Sequence, residues 1–129
     1  MAYRPFDLSG KVALITGGNS GIGLGMAQAL AEAGADIAIW GSNAAKNAAA
    51  LESLKPLGVR LHALTCDIGD EAAVENAFAE TVAQLGRVDA CFANAGTYGH
   101  AARFTALETA EWQRVMRINL DGAFFTLRA

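Results

Sequence analysis

The sequence predicts an α/β protein built on a doubly wound parallel sheet. Two observations carry that prediction: short apolar runs alternate with segments of helical periodicity, and a cluster of glycines falls at the first junction between them. The apolar runs occupy residues 12–16, 37–40, 61–65 and 88–93. They are nearly continuous in apolar residues, as expected of strands covered by helices on both faces.

The intervening segments read as crossover helices. In the first, Ile22, Met26, Ala29, Leu30 and Ala33 recur at helical spacing, and Gly34 stands where a helix ends. The second, residues 44–57, is rich in Ala, has Ser42 or Asn43 as its N-cap and is closed by Pro56 and Gly58. The third carries Val74, Phe78, Val82 and Leu85 on one face and ends at Gly86. A loop over 97–106 precedes a helix starting near Thr109, with Trp112, Val115, Met116 and Leu120 on one side and a bend or break expected near Asn119. Residues 123–129 continue in a helical pattern and stop without a terminating residue, so a truncation is expected. We find no internal repeat and no linker, and read residues 1–129 as one domain.

Composition narrows the function. The chain has 129 residues, 53% of them hydrophobic, and ten Lys+Arg against thirteen Asp+Glu with no run of either sign. That balance argues against a nucleic-acid partner or an electrostatic membrane anchor and favours a small diffusible ligand. The first ten residues contain no apolar signal core, and no stretch approaches the roughly 18 apolar residues of a membrane span. A soluble cytoplasmic protein is expected. Cys66 and Cys91 stand apart, without a Cys or His at zinc-binding spacing, so they are read as buried free thiols and no metal site is expected.

The glycine cluster is Thr16-Gly17-Gly18-Asn19-Ser20-Gly21-Ile22-Gly23. A helix N-terminus offers unpaired N–H groups and a positive dipole end to a phosphate, provided the backbone can come close. Gly21 and Gly23 permit that approach and close helix–strand packing, Gly17 permits the turn, and Asn19 and Ser20 offer side-chain hydrogen bonds to phosphate or ribose. The spacing differs from the G-x-G-x-x-G of long-chain dinucleotide-binding dehydrogenases and from the G-x-G of many methyltransferases.

The motif resembles the T-G-x-x-x-G-I-G signature of the short-chain dehydrogenase/reductase family and matches every fixed position. Further elements agree in order. Asp67, in Thr65-Cys66-Asp67-Ile68, stands where the family has an acid beside the adenine amino group, and the Cys66–Ile68 stretch is read with it as cofactor-binding. Asn94-Ala95-Gly96 resembles the family's N-A-G element, with Ala93 in place of the commoner preceding Asn. Asn119, in Arg117-Ile118-Asn119-Leu120, is similar to the helix Asn whose backbone holds a water in the family's proton relay. Taken singly, Asp67 also reads as a helix N-cap and Asn119 as a bend residue.

The resemblance implies a Rossmann-like sheet in the order 3-2-1-4, a nicotinamide cofactor, and hydride transfer to or from an alcohol or carbonyl carbon. In the family a Ser and a Tyr-x-x-x-Lys pair follow downstream of the helix Asn. Here Tyr3 and Tyr98 are the only tyrosines and neither has Lys four positions later. The 129 residues are therefore expected to supply the cofactor half and to lack turnover by themselves, with the fourth strand's edge open unless further chain or a partner covers it. The alternatives are a non-catalytic dinucleotide-binding module acting through a partner chain and a methyltransferase.

At the end of the second strand, Gly41-Ser42-Asn43 contains no acid to accept the ribose 2′-OH and repel a 2′-phosphate. Ser42, Asn43 and Lys46 can hold that phosphate, so NADP(H) is favoured and NAD(H) left open; Asp36 lies too early and is read as a surface residue. The runs Phe6-Asp7-Leu8-Ser9-Gly10 and Gly25-Met26-Ala27 resemble sugar-acid and polyol dehydrogenases. Tyr98, His100 and Arg103 read as a solvated loop or as substrate contacts, and His62 as structural or exposed. The family's usual dimers or tetramers assign Phe124, Phe125 and Leu127 to an interface.

Overall fold

The computed structural model of the chain describes residues 4–129; Tyr3 lies outside them. Its four strands are β1 (Val12–Thr16), β2 (Asp36–Gly41), β3 (Leu61–Thr65) and β4 (Ala90–Phe92), all parallel and ordered β3-β2-β1-β4. Helices α1 (Gly21–Glu32), α2 (Ala44–Leu54) and α3 (Glu71–Leu85) make the crossovers. Beyond β4 follow α4 (Thr109–Met116), a π-helical turn (Arg117–Asp121) and α5 (Gly122–Arg128).

Strand periodicity sorts the core into two layers. Val12, Leu14, Ala38 and Trp40 face the α3 and α5 side, packing with Val74, Ala77 and Leu85. Ala13, Ile15, Ile37 and Ile39 face the other way, against Ala27 and Ala31 of α1 and Ala50 and Leu54 of α2. Small alanines on the two helices let the backbones approach the sheet, and bulky β-branched residues fill the strand side. β1 and β2 are buried on both faces, which is why they show no polar alternation.

Several sequence-based boundaries shift for identifiable reasons. β4 is shorter than the apolar run 88–93. At its start the Asp89 carboxylate takes the Val12 N–H at 2.9 Å, and at its end the Asn94 N–H donates to Phe92 O at 2.8 Å, turning the chain out of the ladder. β2 begins one residue early at Asp36, which is no surface residue. Its carboxyl is only 14% exposed and accepts from the Arg60 backbone N–H and from the guanidinium, tying β2 to the entry of β3. The helix after Thr109 does not break near Asn119: Gly122 N–H bonds to Arg117 O, five residues back instead of four, and helical dihedrals run through the turn. Phe125, assigned to an interface, packs instead into the core layer that contains Val12 and Leu14.

Trp40 fills the space between sheet and α3, where its indole Nε1 donates to Thr81 Oγ1 at 3.0 Å, while that hydroxyl donates to Ala77 O. Both side chains are buried. Thr81→Val keeps the shape but strands the indole N–H away from water, so a loss of about 1–3 kcal/mol in denaturant unfolding is expected. Unchanged stability would show that the bond is replaced by another partner.

Candidate cofactor site

β1 delivers the glycine loop to the carboxyl edge of the sheet. Thr16, its last residue, is buried beneath the loop, and its hydroxyl accepts from the Ala95 N–H at 3.0 Å and lies 3.4 Å from Phe92 O. The Gly17 N–H then donates to Trp40 O at 2.7 Å. Gly17 and Gly21 hold φ of +66° and +53°, which L side chains adopt only with strain. At Gly23 the constraint is space, because a Cβ there would stand 2.2 Å from Gly17 O and 2.6 Å from Asn94 Nδ2. Ser20 occupies the N-cap position of α1 without a side-chain cap bond, and the first turn carries no acid. The positive end of a twelve-residue helix is thus left open beside Gly21, where an added Cβ would meet nothing.

The end of β2 forms the next wall. A Cβ on Gly41 would lie 2.2 Å from Asn19 Nδ2 and 2.3 Å from Asn47 Oδ1, so only glycine fits between these amides. Asn19 Nδ2 donates to Asn47 Oδ1 at 2.8 Å, and Ser20 Oγ donates to Asn19 Oδ1 at 3.3 Å. The Asn43 side chain caps α2 by accepting the Lys46 N–H at 2.9 Å, and Ser42 is exposed beside it.

The ends of β3 and β4 complete the edge. Asp67 is not the cap of α3; that is Asp70, which accepts the Ala73 N–H at 3.1 Å. Asp67 instead accepts the Gly69 N–H at 2.9 Å and pairs with Arg117 of the π turn at 3.1 Å. Ile68 is buried against Gly122, where a Cβ would come within 2.7 Å of it. Asn94 donates to Thr16 O at 3.0 Å, and a Cβ on Gly17 would touch Ala95 Cα at 3.0 Å. Asn119 makes two bonds to one residue: its Oδ1 accepts from Thr97 N–H at 2.8 Å and its Nδ2 donates to Thr97 O at 2.9 Å. The loop beyond Thr97 is clamped by Glu111 and Arg114. Glu111 accepts from the His100 N–H, Arg114 donates to Tyr98 O at 2.9 Å, and the Arg114 guanidinium followed by that N–H pulls the Glu111 carboxyl down to about 2.

These walls enclose one groove of about 850 Å³, a size suited to a dinucleotide. Gly17, Asn19, Ser20, Gly21, Ile22, Gly23, Gly41, Ser42, Asn43, Cys66, Asp67, Ile68, Asn94, Ala95, Gly96 and Asn119 all line it, while Thr16 supports it from below. A model of the short chain dehydrogenase family matches residues 11–129. The chain belongs to the short-chain dehydrogenase family. It is 37% identical over 121 residues to a probable NADP-dependent mannitol dehydrogenase of Yarrowia lipolytica, covering 93% of this chain and 44% of the relative. It is 39% identical over 127 residues to the 2-dehydro-3-deoxy-D-gluconate 5-dehydrogenase of Dickeya dadantii, covering 97% and 48%. An NAD+-bound xylitol dehydrogenase superposes with a TM-score of 0.92 at 36% identity, over 95% of this chain and 47% of that one. The chain thus spans about half the length of the short-chain dehydrogenases it matches.

Relative to this family frame, Trp40, Thr97, Tyr98 and Ile118 also line the groove, although the sequence did not mark Trp40, Thr97 or Ile118. Asn47, behind Gly41, was missed as well; its spacing to Ala50 and Leu54 along the buried stripe of α2 was the available signal. Arg117 carried none, because its partner Asp67 is fifty positions away. Tyr98, His100 and Arg103 are exposed, whereas His62 is partly buried, 3.6 Å from Glu80. Among the described residues no cluster of His, Cys, Asp or Glu suits a metal ion.

Gly23→Ala should abolish cofactor binding in a fluorescence titration while Gly25→Ala, whose Cβ would meet nothing, leaves it within about twofold; equal behaviour of the two variants would refute the close-approach argument. Burial, followed by the neighbouring charges of Asp67 and Asp70, pushes the Cys66 thiol up to about 11. At pH 8 only about one molecule in a thousand then carries the thiolate. Alkylation of Cys66, followed by peptide mass mapping, should therefore be negligible at pH 8 and rise above pH 10; rapid labelling at pH 7 would contradict this.

Proposed function

We propose that these residues are the cofactor-binding half of an NAD(P)-dependent oxidoreductase that moves hydride between a nicotinamide and an alcohol or carbonyl carbon. The observation that carries the reading is the convergence on one groove, at the carboxyl edge of a parallel sheet, of the glycine loop, Asp67, the Asn94–Gly96 turn and Asn119. The open N-terminus of α1 would receive the diphosphate, and Asp67, held by Arg117 and the Gly69 N–H, the adenine amino group. The Asn94–Gly96 backbone would run beside the cofactor toward Asn119, whose π turn would hold the relay water. The bound cofactor supplies the hydride; these residues bind it and orient it.

NADP(H) is the preferred cofactor on this reading, with NAD(H) the alternative. No carboxylate stands at Gly41, Ser42 or Asn43, and Lys46 lines the groove beside them. The relatives are divided, one being named NADP-dependent and one bound to NAD+. Their names point to polyols and sugar acids as the substrate class. Trp112, Leu120, Phe124 and Leu127 are large apolar side chains left more than half exposed along α4, the π turn and α5, which supports a homodimer or homotetramer. Two free thiols and no disulfide among the described residues suit the reducing cytoplasm.

Fluorescence titration with NADPH and NADH is the test: both should bind, NADPH more tightly. Ser42→Asp should weaken NADPH by about tenfold or more and spare NADH, because a carboxylate repels the 2′-phosphate and accepts from the 2′-OH. Failure of both cofactors to bind, or saturable binding of S-adenosylmethionine instead, would overturn the reading.

A further inference from the structure

Asn47 is a buried polar side chain, 5% exposed, behind the groove and in phase with Ala50 and Leu54 on the packed face of α2. Burial of an amide is costly unless its hydrogen bonds are met, and here they are. Its Nδ2 donates to Gly41 O at 3.0 Å and to Leu64 O at 3.1 Å, joining the ends of two adjacent strands, β2 and β3. Its Oδ1 accepts from Asn19 Nδ2 at 2.8 Å. Asn19 is the middle of the glycine loop, flanked two residues away on either side by Gly17 and Gly21, both at positive φ. Glycine on both sides leaves that segment with much backbone freedom to lose. The Asn19–Asn47 bond ties its midpoint to the rigid sheet, and Ser20 Oγ leans on the same Asn19 side chain. Gly41 lies between the two amides with no room for a Cβ.

We infer that Asn47 is a positioning residue for the cofactor: acting through Asn19, it sets the shape of the loop that receives the diphosphate without touching the ligand. The inference rests on the groove being a nicotinamide dinucleotide site. Its two bonds to strand carbonyls serve stability, and its bond to Asn19 serves binding, so the two roles separate experimentally.

The test is NADPH affinity by fluorescence titration, with thermal unfolding followed in parallel, for the wild type, Asn47→Ala, Asn19→Ala and the double variant. Loss of one anchoring hydrogen bond should weaken NADPH by about tenfold in each single variant. The double variant should be no more than about twofold weaker than Asn19→Ala alone, because Asn47 acts on the ligand only through Asn19. Asn47→Asp keeps an acceptor for Asn19 but turns a carboxylate toward two carbonyls. It should lower the unfolding temperature while weakening NADPH less than either alanine variant does, and it decides the matter with Asn19→Ala if Asn47→Ala does not fold. Multiplying losses in the double variant, unchanged affinity in Asn47→Ala or Asn19→Ala, or an Asn47→Asp as weak as Asn47→Ala would each overturn the inference. A wild type that binds neither NADPH nor NADH is a distinct result, seen before any substitution, and it removes the cofactor reading and this inference together.

Discussion

The close approach of two backbone segments at the carboxyl edge of the sheet sets everything around it. Gly23, in the first turn of α1, lies against Gly17 O, and the Asn94 amide reaches from the end of β4 into the same place to bond Thr16 O. Because no Cβ intervenes, α1 packs close over the edge of β1 with its N-terminus facing the groove. Because Asn94 and the Ala95 N–H are both bonded to Thr16, the chain beyond β4 leaves in a fixed direction. A larger residue at position 23 would push helix, loop and strand apart at once.

From that point outward the groove is assembled by polar side chains that bridge elements distant in sequence. Asn47 links the ends of β2 and β3 to the loop. Arg117 crosses from the π turn to Asp67 after β3, and Asn119 closes on both backbone groups of Thr97 after β4. The π turn brings both residues into place. Its extra residue per turn lets Arg117 and Asn119 reach different strand ends while Gly122 packs on Ile68. The Glu111–Arg114 pair then holds the loop over 97–100 against α4.

Much of this was legible in the residues. The strand and helix order follows from periodicity, and the groove walls from motifs in which glycine or a short polar side chain recurs at a strand end. What periodicity could not supply was the length of β4, which is bounded by the Asp89 carboxylate on the Val12 N–H at its start and by the Asn94 N–H turning back to Phe92 O at its end. Nor could it separate Phe124, exposed, from Phe125, partly buried against the core, because adjacent residues in a short helix differ only by which face the preceding π turn presents. Asp36 looked like a surface acid for a related reason: its partner Arg60 arrives from the next crossover.

The sequence by itself determined the alternating α/β class, the parallel sheet, the glycine loop at the first strand–helix junction and the absence of an acid after β2. Each of these depends on local chemistry: side-chain period, backbone freedom at glycine, or the charge of a residue at a known place along a strand. Tertiary structure decided the partners of Asn19, Asp67 and Asn119, the pairing of Asp36 with Arg60, the partial burial of Phe125 and the hydrogen bonds of Asn47. These are contacts between residues that only folding makes neighbours; at Asn47 the energy comes from satisfying a buried amide once the core has closed around it.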